Sequence, residues 1–203
     1  MFSGCAGSGA DATQAPVASE AAAQATPPDG MSETEMAELE KKMMESAQPG
    51  PEHETLAKMA GDWEMQTLFT MGPEPMKFSA TVHSEMILGG RFLLQTVSGS
   101  AGEFSMDSVS IMGFDRRHGV YTVYGCDSMG TYCVGAQGPM DAKTQTITMY
   151  GEDEDPIAGL TQKYDIVVML NADGSYTTKV VFKPGTFGND EPLVAVTNTY
   201  TKK

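Results

Sequence analysis

Residues 77–86 read KFSATVHSEM, a stretch in which apolar and polar side chains alternate. Its apolar members include Phe78, Ala80 and Val82. Because successive side chains of a β-strand point to opposite faces of a sheet, a period of two predicts a strand with one buried face. Residues 176–183, YTTKVVFK, show the same alternation. The chain from Trp63 onward is therefore predicted to consist of half-buried strands.

Turn-forming residues divide this part of the chain into short segments. Clusters of Gly, Pro, Asn and Asp recur near residues 71–73, 89–90, 99–102, 115–119, 129–130, 139–143, 151–156, 171–174 and 184–192. The spacing predicts about ten strands, joined by tight turns as an antiparallel meander. Such a meander closes into a barrel or a clam-like pair of sheets, because closure removes exposed edges. We predict a mainly β fold, an up-and-down antiparallel barrel with short N-terminal helices.

Three regions of different composition follow one another along the chain. Residues 1–30 are rich in Ala, Gly, Ser, Gln, Thr and Pro, a composition that predicts a disordered tether. Residues 31–48 contain a capping box, Ser32 with Glu35, and apolar residues at helical spacing, so they predict a linker helix. Residues 49–203 form the predicted barrel domain, entered through a second short helix.

The N-terminal stretch FSGC, residues 2–5, resembles the lipobox of bacterial lipoproteins, in which small residues precede a lipidated Cys. The resemblance implies lipidation of Cys5, and hence a periplasmic or cell-envelope protein that meets the membrane through its lipid. Too few residues precede Cys5 for the apolar region of a signal peptide, so we expect the native start to lie upstream of Met1. The alternative is a chance Cys in a cytoplasmic tail.

Charge and histidine spacing exclude several classes of function. The formal net charge is -14 and the pI is near 4.4, so the field of the protein repels nucleic acid. The three histidines, His53, His83 and His118, lack the spacing of metal ligands, and no Gly-x-Ser-x-Gly elbow is present. We expect no metal, no cofactor and no catalytic cluster, while the oligomeric state stays open.

Two cysteines flank a predicted tight turn at Met129 and Gly130. A two-residue turn pairs positions whose numbers have the same sum, so Cys126 and Cys133 should face each other across a hairpin. In an oxidising compartment they could form a disulfide. Cys5 would then be the odd thiol, as expected for a lipidation site.

Five short motifs carry a further resemblance. They are PEHE at 51–54, GDWE at 61–64, ILGGRFL at 87–93, GFD at 113–115 and DSMGT at 127–131. In this order they resemble a bacterial family known as domain of unknown function 1579, over residues 49 to 202. The resemblance implies a calycin-like barrel, related in shape to lipocalins and fatty-acid-binding proteins. It implies no substrate and no cofactor.

The pair Gly61 and Trp63 also resembles the first-strand signature of lipocalins. That likeness implies that Trp63 plugs the closed end of the barrel and packs against a basic residue near the last strand. Lys202 and Lys203 end the chain where lipocalins have an Arg. The alternative role for Trp63 is direct stacking on a ligand.

The candidate ligand site is placed inside the barrel. Arg91 follows two glycines at the start of a strand, and a buried guanidinium needs an anionic partner. Asp127 is the proposed partner, so that the pair is either a strut or, with Tyr121, the polar end of a cavity. Flexible methionines in predicted strands would line its apolar part, chiefly Met65, Met86 and Met112.

The favoured function is binding of a small, partly apolar molecule inside an exported or lipid-anchored barrel. The first alternative is an enzyme, an isomerase or hydrolase, using Arg91 and Asp127. The second is a structural envelope protein whose barrel is filled by its own side chains.

Overall fold

The structure, a computed structural model, describes residues 30–101 and 104–203. The predicted tether over residues 1–29 and the candidate lipidation site Cys5 lie outside the described residues. The chain divides into two units between Lys41 and Lys42. In the first unit, the Ser32 amide donates to the Glu35 carboxylate at 2.8 Å and the Glu35 amide donates to Ser32 Oγ at 3.4 Å. This capping box starts helix α1 (Glu33–Ser46).

The second unit contains the end of α1, a second helix and eleven strands. Helix α2 (Pro51–Ala57) precedes them all. The strands are β1 (Gly61–Phe69), β2 (Met76–Ile87), β3 (Phe92–Ala101), β4 (Phe104–Asp115), β5 (Val120–Asp127), β6 (Cys133–Gly138), β7 (Met140–Asp141), β8 (Thr146–Asp155), β9 (Leu160–Leu170), β10 (Tyr176–Phe182) and β11 (Leu193–Lys202). Neither helix is long and apolar enough, over its described residues, to cross a membrane.

The strands form one closed antiparallel barrel. Their order is β6-β5-β4-β3-β2-β1-β11-β10-β9-β8-β7, and a further pairing of β6 with β8, at Gln137 and Tyr150, closes the ring. The two-residue strand β7 pairs only with the start of β8, so the ring has ten strands and β7 is an extra one. The predicted up-and-down barrel is confirmed, and the clam-like alternative of two separate sheets is wrong.

Glycine makes the closing seam between β6 and β8 possible. A Cβ on Gly138 would lie 2.0 Å from the backbone oxygen of Thr148. A Cβ on Gly151 would lie 2.3 Å from the ring of Tyr164, whose hydroxyl donates to the Gly135 carbonyl at 3.0 Å. The two backbones approach closely enough at this seam that no side chain fits between them.

The alternation in 77–86 is the alternation between the inside and the outside of the barrel. Within β2, Phe78, Ala80, Val82 and Ser84 are buried and their neighbours along the strand are exposed. The inward residues of all the strands join into one core. The predicted strand pattern is therefore correct for β2, including the small polar Ser84 on its inner face.

Helix α2 closes one end of the barrel, where it packs against β2, β3 and β4. Its Leu56 and the following Met59 are almost fully buried. The Trp63 indole donates to the Met59 carbonyl at 3.0 Å, and the Tyr121 hydroxyl donates to the Glu52 carbonyl at 3.3 Å. These two bonds fasten the helical segment to the first and fifth strands.

Candidate functional site

A cavity of about 190 Å³ lies inside the barrel. One part of its wall is apolar and includes Leu93, Met112, Val123, Met149, Ile166 and Val168. The other part can form hydrogen bonds and consists of Gln95, Ser110, Tyr176, Thr178, Asn198 and Tyr200. The core is thus not completely filled, and the remaining space has an apolar side and a polar side.

Gln95 on β3 organises one half of the polar wall. Its side-chain nitrogen donates to the hydroxyl of Tyr176 at 2.9 Å and to Ser84 Oγ at 3.0 Å. Those two bonds use both amide hydrogens and leave the amide oxygen as an acceptor. The Gln95 side chain therefore presents a fixed carbonyl group beside the cavity.

Asn198 on β11 organises the other half. Thr67 donates to its amide oxygen at 2.8 Å, and its nitrogen donates to Thr178 Oγ1 at 3.1 Å. These two hydrogen bonds connect Thr67 on β1, Asn198 on β11 and Thr178 on β10. Because each group is neutral and bonded to a neighbour, this network is stable in a poorly hydrated interior.

Two stacked tyrosines belong to the polar wall of the cavity. The rings of Tyr176 and Tyr200 lie 4.0 Å apart at an interplanar angle of 11°, and Trp63 meets Tyr176 edge-on at 4.9 Å. Burial raises the pKa of both phenols above the ordinary tyrosine value. They stay protonated at physiological pH, so the interior gains hydroxyl groups without gaining charge.

The predicted methionines and Tyr121 are distributed unevenly around this cavity. Met112 lines it, whereas Met65 is buried in the core and Met86 packs against the core from a partly buried position. Tyr121 is buried beside α2, with its ring 4.9 Å from that of Phe114, and burial raises the pKa of its phenol. Of these four residues, the structure brings only Met112 to the cavity wall.

The structure does not bring Arg91 and Asp127 together. Arg91 precedes Phe92, which pairs with Gly113 on β4, whereas Asp127 pairs with Ser108 on the same strand. These positions on β4 are about 17 Å apart at about 3.4 Å per residue. The Asp127 carboxylate instead accepts a hydrogen bond from the Met129 amide at 2.8 Å, within its own turn.

Arg91 lies outside the barrel and holds the link between α1 and α2. Its guanidinium donates to the Ala47 carbonyl at 3.0 Å, to the Leu88 carbonyl at 3.2 Å and to the Gln48 side-chain oxygen at 3.2 Å. The pairing with Asp127 is thus wrong as a strut and as the polar end of the cavity. The physical reason is that free carbonyls at a helix end satisfy a guanidinium without burying its charge.

Trp63 occupies the place that the lipocalin likeness implies. It is completely buried at the end of the barrel closed by α2, and the Lys202 ammonium lies 5.5 Å from the centre of its ring. The two residues are register partners on β1 and β11. A lysine therefore makes the cationic contact for which lipocalins use an arginine.

A disulfide joins Cys126 and Cys133, with 4.3 Å between their Cα atoms. The two residues are register partners on β5 and β6, which is the pairing that the turn spacing predicts. The bond ties the hairpin next to the seam. Among the described residues, no three His, Cys, Asp or Glu side chains cluster as metal ligands.

Comparison with protein families decides where the chain belongs. The model of the family described as Protein of unknown function (DUF1579) matches residues 48–201. The chain belongs to this family. The match begins just before α2 and ends in β11, so it covers the barrel and the helix that closes it. No curated protein matches the chain.

The sequence of this DUF1579 protein does not mark the polar wall of the cavity. Gln95 and Asn198 stand in strands without any local mark that separates them from outward polar residues, whereas the alternation in residues 176–183 does place Tyr176 on the apolar face of its strand.

The sequence likewise predicts no role for Arg116, whose guanidinium donates to the carbonyls of Glu45 and Gln48 beside the contacts of Arg91. One sequence signal does point to Arg116: the chain has only three arginines, and Arg116 is one of them, with Arg91 and Arg117. Because the acidic chain has only three arginines, the sequence could have suggested that all three belong to one site.

Proposed function

We propose that this DUF1579 barrel binds a small, neutral, partly apolar molecule in its interior. The observation that carries the proposal is the cavity of about 190 Å³, bounded by an apolar wall and a hydrogen-bonding wall. A cavity of about 150 Å³ accepts benzene, whereas drug-sized ligands need roughly 300–1,000 Å³. The size therefore favours a molecule with a single ring or a short chain over a fatty acid.

The polarity of the wall favours a neutral ligand. Gln95, Ser110, Thr178 and Asn198 offer amide and hydroxyl groups, and every side chain in the described lining is uncharged. A charged ligand would have no counter-charge there, and burying an unpaired charge is costly. A phenol, a small alcohol or a neutral amide would place its polar group against Gln95 and its apolar part against Met112.

The two rival functions have less support. The enzyme hypothesis needs Arg91 and Asp127 in one site. Arg91 precedes β3 beside Gly113 of β4, whereas Asp127 on β5 pairs with Ser108 of β4, and this separation argues against it. The filled-barrel hypothesis needs an interior without free space, which the cavity argues against. Binding is therefore the function that the geometry supports best.

Nuclear magnetic resonance of methionine methyl groups tests the binding proposal. With ¹³C-methyl methionine, phenol should shift the signals of Met59, Met112 and Met149, which line the cavity, and these shifts should saturate as phenol is added. Replacing the cavity residue Ser110 by Leu should abolish these shifts by filling the space. Ser98→Leu, at an exposed position, is the matched control. Phenol binding that survives Ser110→Leu with unchanged shifts would place the ligand elsewhere.

We also propose that the protein works in the bacterial envelope, anchored by a lipid on Cys5. The Cys126–Cys133 disulfide supports an oxidising compartment, where such bonds persist. Mass spectrometry of the protein isolated from the membrane fraction of its own host should find a diacylglyceryl group at Cys5 and no free thiol. An unmodified Cys5 in cytosolic protein with two reduced barrel cysteines would contradict this proposal.

A further inference from the structure

All three arginines of this acidic chain line one pocket. The chain has 13 Lys and Arg residues in total, and its only arginines are Arg91, Arg116 and Arg117. They border a pocket of about 520 Å³ between the end of α1 and the strands β3, β4 and β5. This arginine pocket lies outside the barrel and is separate from the interior cavity. All of the guanidinium groups of the chain are therefore gathered at one pocket, which makes it a candidate site for an anion.

Two of the three guanidinium groups have only neutral partners. Arg91 donates to two carbonyls and one amide oxygen, and Arg116 donates to the carbonyls of Glu45 and of Gln48, the latter at 3.1 Å. Within residues 30–101 and 104–203, no salt bridge joins either of these two guanidinium groups to a carboxylate. A guanidinium has five N–H groups, so these bonds leave two on Arg91 and three on Arg116.

The third guanidinium is paired. Arg117 forms two hydrogen bonds with Asp115, at 2.7 and 3.0 Å, and Asp115 also contacts His118. Asp115 contributes the negative charge of the pocket lining, which leaves a formal charge of about +2 with His53 neutral. The carboxylate of Glu52 is outside the lining but close to Arg116, because a Cβ on Gly50 would lie 2.9 Å from Glu52 Oε2 and 3.0 Å from Arg116 Nε. This Oε2 is buried without a hydrogen bond in the described structure.

His53 adds a nearly buried donor to the same pocket. Its Nδ1 accepts a hydrogen bond from the Gly50 amide at 3.0 Å, which places the ring proton on Nε2. The side chain is only 7% exposed, and no described residue accepts from Nε2. Since His53 lines the pocket, it offers an unused N–H to whatever binds there.

The remaining walls of the pocket are apolar. Phe92, Phe114 and Met43 contribute to the lining beside the guanidinium groups. From these features we propose that the arginine pocket binds a small organic phosphate, a phosphate monoester with an apolar body. A monoester carries about −1.5 to −2 charges at neutral pH, which matches the unpaired Arg91 and Arg116. Its oxygens accept the free guanidinium and His53 N–H groups, and its body packs on the two phenylalanines.

The rarity of arginine allows a direct test on the whole protein. Three arginines give three side-chain Nε–H signals in a ¹⁵N spectrum, and phenyl phosphate should shift them saturably at constant ionic strength. Inorganic phosphate, which lacks the apolar body, and benzoate, which carries one charge, should bind at least tenfold more weakly. Phenol should leave the arginine signals in place and shift the methionines that line the interior cavity, Met59, Met112 and Met149, so the two proposed sites fail or succeed separately.

Variants then separate a site from a general charge effect. Arg91→Gln and Arg116→Gln should each weaken phenyl phosphate at least tenfold. Lys77→Gln, which removes the same charge from the exposed face of β2, should change affinity by less than twofold. If either arginine variant disturbs the fold, Arg117→Gln replaces it, since this mostly exposed side chain does not hold residues 45–48. Its loss removes one positive charge from the lining and should also weaken phenyl phosphate, by more than Lys77→Gln does. Equal weakening by Lys77→Gln, or shifts that never saturate in the parent protein, would overturn the proposal.

Discussion

The interior cavity and the arginine pocket treat polar groups in opposite ways. In the interior, neutral amides and hydroxyls bond to one another, as in Thr67–Asn198–Thr178. In the arginine pocket, full charges bond to backbone carbonyls at the end of α1, close to solvent. The difference reflects the cost of burying charge: a closed barrel accepts polar groups only when they are neutral and paired, whereas its rim accepts ions.

The largest expected effect comes from the packing of the interior. Trp63→Ala should lower the free energy of unfolding by about 3–5 kcal/mol, because it empties a completely buried position beside Tyr176. Chemical denaturation measures this change. Tyr132→Ala, at a side chain 64% exposed, is the control and should cost less than about 0.5 kcal/mol. A loss below about 1 kcal/mol at Trp63 would show that the interior does not dominate stability.

The seam gives the next largest effect. Gly138→Ala places a methyl group against the backbone of β8, so β6 must move away and the ring must loosen there. We expect a loss of about 1–3 kcal/mol, typical of overpacking, together with faster amide exchange along β6 and β8. Gly119→Ala is a poor control because its φ is positive. Ala158→Gly, in an exposed turn, leaves the seam unchanged and serves better.

The arginine pocket should affect stability locally rather than globally. Arg116→Gln removes charged hydrogen bonds to the carbonyls of Glu45 and Gln48, but the side chain is exposed. The global loss should be about 1 kcal/mol or less. Hydrogen exchange should nevertheless show residues 45–50 opening more often, while β1 to β11 keep their protection. Equal loss of protection throughout the barrel would mean that the two regions are not independent.

The smallest expected effect on stability comes from an exposed ion pair. On the outer face, His83 Nδ1 lies 2.7 Å from the Asp62 carboxylate, and this bond raises the pKa of His83 above its ordinary value. Stability from this pair is therefore fully present below the ordinary histidine pKa and is lost as the pH rises through the raised value. Titration by NMR should show the raised pKa, and Asp62→Asn should return it to the ordinary range. An unchanged His83 pKa in that variant would exclude the pair as the cause.

Local sequence was sufficient wherever the deciding partner is close along the chain. The alternation in 77–86 predicted β2, because the pleat of a strand depends on neighbouring residues alone. The spacing around Met129 and Gly130 predicted which two cysteines face each other, since the residues that connect two adjacent strands fix their register. The predicted two-residue turn was too short, because residues 128–132 connect β5 and β6. Family resemblance added the place of Trp63 at the closed end, which alternation alone does not give.

Long-range contacts decided the rest. Arg91 binds residues 47 and 48, more than forty positions away, because a long guanidinium side chain reaches whichever carbonyls the fold leaves free. The need for Gly138 arises only where β6 meets β8 and closes the ring. Gln95 and Asn198 read as ordinary polar strand residues until the barrel turns them inward. The sequence by itself determined the strands and their order of pairing, while closure decided which polar groups lie inside and which charges remain at the rim.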